Sequence, residues 1–245
     1  MSSLLLLNVL DVARSFGETP SKAVAREIAN WLIEAYAKKG GGGFNYNPAI
    51  NTLFDLFRGA IDRDAAVLHC MTRGNPKGRS QNVQAIKTVA PYAAENISTC
   101  YRIDFSAVAL GRVKDQTVYA AIKAPMVRVV HDEAFVVLPG FRMSYRPNQA
   151  QIDLACSIAL ANLARDDFAG ADFEYLSAGP GVSGQREFQA VRGRDRTVYD
   201  RDQLDLMMHE YVRGVAIALE EGIERRAPNL RGYRIIDPRE PDLFA

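Results

Sequence analysis

Residues 152–164 are apolar on nearly every side, broken only by Asp153, Ser157 and Asn162. A helix of that kind keeps no face for water, so protein must cover it on more than one side. Its start is also marked. Asn148 follows Pro147 as an N-cap, and Gln151 stands where a capping-box partner belongs. The rest of the chain therefore has to fold around this segment.

The next segment, 171–196, reads as a hairpin, and a second long helix comes after it. Phe173, Tyr175 and Leu176 give the first strand its bulk, and residues 185–192 form the second. The loop Gly179-Pro-Gly-Val-Ser-Gly184 matches G-x-G-x-x-G. A dinucleotide site needs a helix after that loop, so that amides meet the pyrophosphate. Here a strand pattern comes next, which makes the loop a hairpin connection. The closing helix opens at Asp200 with Gln203 as its capping-box partner. Leu204, Met207, Met208, Tyr211, Val215 and Ala218 then recur at helical spacing, and Gly214 among them marks close packing.

The first 97 residues read as mainly helical. A helix is expected at the N-terminus, because residues 1–10 lack a basic start and are too short to span a membrane. A second opens at Thr19-Pro20 and is stopped by the glycines at 40–43; a third opens at Asn47-Pro48. Residues 62–71 are apolar without a period that decides between helix and strand. Residues 72–81 read as a basic loop, followed by a helix over 81–90 that ends before Pro91. Strand alternation then runs over 99–110, 117–123, 126–130 and 135–145, and residues 227–245 read as an arm over the surface. The pattern predicts an α+β fold in one domain spanning 1–245. N-terminal helices precede a mixed, mostly antiparallel sheet at 98–226, packed against the two long helices.

A net charge of +1 rules out a polycation, so any nucleic-acid surface has to be local. The three cysteines, Cys70, Cys100 and Cys156, are far apart and form no C-x-x-C. They indicate neither a zinc knuckle nor a disulfide framework, and they fit a reducing cytoplasm.

Helices, a meander of strands, a Gln-led apolar helix (Gln149-Ala-Gln-Ile-Asp-Leu) and a strand (Phe173-Glu-Tyr-Leu) succeed one another in that order. This resembles the α-β-β-β-α-β core of RecB-like PD-(D/E)xK nucleases over 99–178. The resemblance implies an Asp on one strand and Glu-x-Lys on the next, holding a divalent metal such as Mg²⁺. Asp104 is the position that matches the Asp. Lys123 is preceded at the Glu position by Ala121, and the strand at 136–142 carries no acid. The resemblance therefore implies a nuclease-like scaffold that has lost or relocated its metal site. No metal site or cofactor is predicted, and Mg²⁺ enters only if the chain is an active nuclease. Glu174 and Glu187 are the other acid–base candidates if they lie opposite one another across the hairpin; salt bridges to Arg186 or Arg192 are the alternative, and the reading the sequence favours.

Three basic sets stand near aromatic residues: Lys77 with Arg79; Arg142 with Tyr145 and Arg146; and Arg192 with Arg194 and Arg196. Converging, they would bind phosphates, with Tyr145 stacking a base. Interleaved acids offer ordinary ion pairs instead. Three functions are open to such a chain: a nucleic-acid-associated binding protein without metal catalysis, an active nuclease with a displaced site, or a structural or adaptor subunit. The partners would be DNA or RNA, or a protein or second copy of the chain, and no membrane.

Overall fold

The computed structural model describes residues 3–37, 44–224 and 226–239. The glycine run at 40–43, expected to stop the second helix, lies outside them. The fold is α+β. In chain order the helices are α1 (Val9–Ser15), α2 (Ala25–Ala37), α3 (Asn47–Phe57), α4 (Arg63–Thr72), α5 (Pro76–Glu95), α6 (Gln149–Leu163) and α7 (Arg201–Glu220). The strands are β1 (Leu6–Asn8), β2 (Thr99–Arg102), β3 (Ser106–Val113), β4 (Gln116–Ile122), β5 (Met126–Val130), β6 (Glu133–Gly140), β7 (Asp172–Ser177), β8 (Gln189–Arg192) and β9 (Arg234–Ile236).

Instead of one sheet there are two, ordered β2-β5-β6-β7-β8 and β1-β4-β3-β9. In the larger, β6 and β7 run parallel and its other neighbouring pairs are antiparallel. A parallel pair needs a crossover connection, and α6 supplies it. The larger sheet is covered on both faces. Val127, Val136, Leu138, Phe173 and Tyr175 turn to a core shared with α1, α2, α6, α7 and the smaller sheet. Met126, Val137 and Leu176 alternate with them and face α3, α4 and α5.

The two capping boxes form as the sequence predicts, at Asn148/Gln151 and Asp200/Gln203. Helix α6 is buried nearly all round, with Leu154, Ala155 and Cys156 wholly enclosed. Removing a Leu side chain there costs about 2–5 kcal/mol. Its polar interruptions have partners. Asp153 accepts from Arg196 and Gln149, and Ser157 accepts from the Tyr199 amide. These bonds tie the segment following the hairpin to α6. Burial raises the Asp153 pKa, against the pull of Arg196. Gly214 does mark a close approach: a Cβ there would stand 2.7 Å from Ile28 Cγ2 on α2.

Several boundaries differ from the sequence pattern. The alternation over 99–110 is cut at 103–105, and its halves join different sheets. Period-2 alternation carries no record of that exchange, because each half still has one buried face. The expected N-terminal helix starts with β1, which pairs parallel with β4. Residues 62–71 are helical, with the Asp62 carboxylate accepting from the Ala65 amide. Most of the basic loop at 72–81 belongs to α5, which takes Pro76 at its first turn and runs on through Pro91. The strand expected over 135–145 stops at Gly140. In the C-terminal arm, Arg234–Ile236 forms β9 and pairs parallel with β3.

Candidate functional site

Strands β2 and β6 both run antiparallel to β5, and β7 runs parallel to β6. The carboxyl ends of β2, β6 and β7 therefore lie on one edge of the larger sheet, together with the start of α6. In sheets with parallel crossovers, ligands bind outside the carboxyl ends of the strands. The open end of the β3–β4 hairpin adjoins this edge, since only three residues separate β2 from β3 and β4 from β5.

A polar network occupies the edge. Lys123, just past β4, donates from Nζ to Asn47 Oδ1 at the start of α3, 2.8 Å away. Burial lowers its pKa, and the nearby Arg142 charge lowers it further. No carboxylate pairs with it among the described residues. Arg142 is held by both carboxylate oxygens of Asp11 on α1, one at 2.9 Å. The Arg14 guanidinium lies 3.8 Å over the Tyr145 ring. Tyr145 Oη donates to Gln151, and its pKa is raised by burial. One face of Tyr145 is thus already covered by a cation, which leaves less of it for a base. Arg146 reaches Gln189 at 3.1 Å and Glu187 at 3.9 Å.

Arg186 fastens the hairpin loop to this edge. It donates to the carbonyls of Phe141 and Ala178, to Tyr46 Oη at 3.0 Å and to Gln81 Oε1 at 2.7 Å. Lys77 and Arg79 precede Gln81 on α5, and Arg79 donates to the Thr72 carbonyl at the end of α4, 3.3 Å away. Glu174 and Glu187 do not meet, and Glu174 takes the alternative salt bridge to Arg192. Glu174 faces Arg192 in the register, whereas Glu187 sits against Gly181 in the loop.

Asp104 lies in a surface depression of about 370 Å³, lined also by Asn47, Asn51, Arg102, Arg231 and Tyr233. Among the described residues Asp104 is its sole carboxylate, and no three His, Cys, Asp or Glu side chains stand where they could hold a metal ion. These residues do not fit the two-acid divalent site that the resemblance implies.

The remaining candidates lie elsewhere. Glu174 is fully buried in the middle of β7, with Arg128 Nε 2.9 Å from Oε2 and Arg192 Nε 3.0 Å from Oε1. Tyr92 Oη donates to it at 2.8 Å. Burial works to lower the Arg192 pKa, but the hydrogen bond and charge of Glu174 outweigh it and raise the value. Arg194 pairs with Glu133 at the far end of β6, and Arg196 with Asp153 on α6. An eight-residue strand spans about 25 Å, so Arg194 and Arg142 stand at opposite ends of β6. The structure gathers Asp104, Arg142, Tyr145, Arg146 and Glu187 along one edge, with Lys77 and Arg79 on the first turns of α5, which Gln81 ties to the hairpin loop, and sets Glu174, Arg192, Arg194 and Arg196 apart. Lys123, Arg186 and Arg231 join the edge, although the sequence pattern does not mark them as binding residues. Only Lys123 left a trace in the sequence, through its position after the Ala121 that replaces the expected acid.

No family profile, characterised protein or solved structure matches the chain. Among the described residues, no helix is long and apolar enough to cross a membrane.

Proposed function

We propose that the chain binds nucleic acid along the carboxyl edge of its larger sheet, on a nuclease-like scaffold and without metal catalysis. One observation carries this reading: among the described residues, cations outnumber acids on that edge. Arg14, Lys77, Arg79, Arg102, Lys123, Arg142, Arg146, Arg186 and Arg231 meet Asp11, Glu18, Asp55, Asp104 and Glu187. A local positive excess in a chain of net charge +1 is the electrostatic footprint a phosphate backbone needs. Further support comes from element order. Within the larger sheet the sequence α5, β2, β5, β6, α6, β7 is α-β-β-β-α-β, with the β3–β4 hairpin inserted after its first strand. Asp104 without a second acid favours binding over hydrolysis.

The test is fluorescence anisotropy with labelled single-stranded and duplex oligonucleotides at low ionic strength. Binding weakened by Lys77→Glu and Arg146→Glu is the expected result. Equal affinity in wild type and both variants overturns the assignment of this edge.

A second reading has its own support. Arg142, Arg146, Arg192, Arg194 and Arg196 all pair with carboxylates of the same chain. In a structural or adaptor subunit those residues would serve only as internal ties. A defined mass above monomer together with no nucleic-acid binding favours that role.

A further inference from the structure

The depression around Asp104 has a composition that nucleic-acid binding along the edge does not require. The C-terminal arm forms one wall, fixed by the Arg234 amide donating to the Phe105 carbonyl at 2.8 Å. That bond and the β9 pairing place Arg231 and Tyr233 across from Arg102 and Asp104. Phe105 lines the floor, its ring 6.4 Å from that of Tyr233. The Arg231 guanidinium has no acid partner among the described residues. Arg102 meets Asp55 only at 3.7 Å and keeps about half of its side chain exposed. The start of α3 contributes no free amide. Asn45 caps the Asn47 amide and Asn82 takes that of Ala49.

From this arrangement we infer that the depression binds a nucleotide, with its phosphate between Arg102 and Arg231 and its base against Tyr233 and Phe105. Guanidinium groups match phosphate oxygens in a forked geometry, and aromatic faces hold any base by stacking. Asp104 only accepts hydrogen bonds and repels phosphate, so it takes a sugar hydroxyl or a base amino group at the other end of the ligand. Asn47 and Asn51 supply donors and acceptors between the two. A volume of about 370 Å³ is in the range of small-ligand sites. The ligand is a free nucleotide or the phosphorylated end of a strand, since both present the same chemistry.

Calorimetric titration of the full chain with nucleoside monophosphates, with inorganic phosphate and with oligonucleotides bearing or lacking a 5′-phosphate tests this. Monophosphates should bind better than inorganic phosphate, and Arg231→Ala, a change at an exposed side chain, should weaken them about tenfold. Asp104→Ala should lower the ratio of nucleotide to phosphate affinity. An advantage of the 5′-phosphorylated oligonucleotide that Arg231→Ala removes identifies a strand end as the source. No such advantage leaves the free nucleotide. Failure of monophosphates to bind at millimolar concentration, binding no better than inorganic phosphate, or binding indifferent to Arg231→Ala overturns the inference. Oligonucleotides lacking the 5′-phosphate report on the edge separately, so the two readings can fail independently.

Discussion

The ion pair between Arg128 and Glu174 has no solvent exposure on either side chain, so its removal has a calculable asymmetry. In Glu174→Leu, the Arg128 guanidinium keeps one hydrogen bond, to the Asn96 carbonyl at 3.0 Å, and the Phe57 ring 4.6 Å away. No other carboxylate pairs with it among the described residues. An uncompensated buried charge of this kind costs about 3–5 kcal/mol. In Arg128→Met, Glu174 still receives Arg192 Nε and Tyr92 Oη. The loss is then nearer that of one charged hydrogen bond, about 2 kcal/mol. The double variant Arg128→Met/Glu174→Leu leaves no buried charge unpaired: it frees the Tyr92 hydroxyl and Arg192, and 38 % of the Arg192 side chain already reaches solvent. It should be more stable than Glu174→Leu alone. Urea unfolding of the four proteins, read as midpoints at constant slope, closes the cycle. Equal costs for the two single changes, adding in the double, would refute the claim that these charges are buried against each other.

Two further perturbations probe close packing and capping. A Cβ on Gly140 would stand 2.6 Å from Tyr175 Cζ, and Tyr175 is itself buried. Gly140→Ala should therefore cost about 1–3 kcal/mol and lower the melting temperature, with partial recovery in Gly140→Ala/Tyr175→Phe; no change in melting would contradict the packing. Glu210 on α7 accepts the Ala25 amide at 2.9 Å, capping α2 from a neighbouring helix. That bond, followed by Arg213, lowers the Glu210 pKa below its ordinary 4.5. A depressed carboxylate stabilises the fold above the unfolded pKa and loses that contribution as pH falls through the folded value. Glu210→Gln should cost about 1 kcal/mol or less at pH 7 and flatten the fall in melting temperature below about pH 4.5. An unchanged pH slope would remove the capping role.

What the sequence made legible was local. Asn148 with Gln151, and Asp200 with Gln203, announce α6 and α7, because a capping box is written within four residues. The apolar character of α6 on nearly every side placed it in the core for the same reason. Features set by distant partners stayed hidden. Nothing in Leu6–Asn8 or Arg234–Ile236 indicates that these short segments pair with β4 and β3, since their partners lie about a hundred residues away or more. Whether Glu174 meets Glu187 or an arginine depends on the register of the hairpin, which the glycines alone do not fix. The hairpin closes with a bridge between Pro180 and Arg186, and the same register puts Arg192 opposite Glu174. The basic clusters were visible as composition, but their division between two ends of β6 follows from the strand directions alone. Arg231 enters the depression only because the arm adds a strand.

The most direct test of nucleic-acid binding along the carboxyl edge is the salt dependence of affinity in wild type and in Lys77→Gln/Arg79→Gln/Arg146→Gln. Each phosphate that is no longer neutralised should reduce the slope of log K against log salt by about 0.7 on single strands or 0.9 on duplex DNA. With three cations removed, the slope is predicted to become shallower by about 2 on single strands and by about 3 on duplex DNA. A wild-type affinity independent of salt, or the same slope in both proteins, would contradict it.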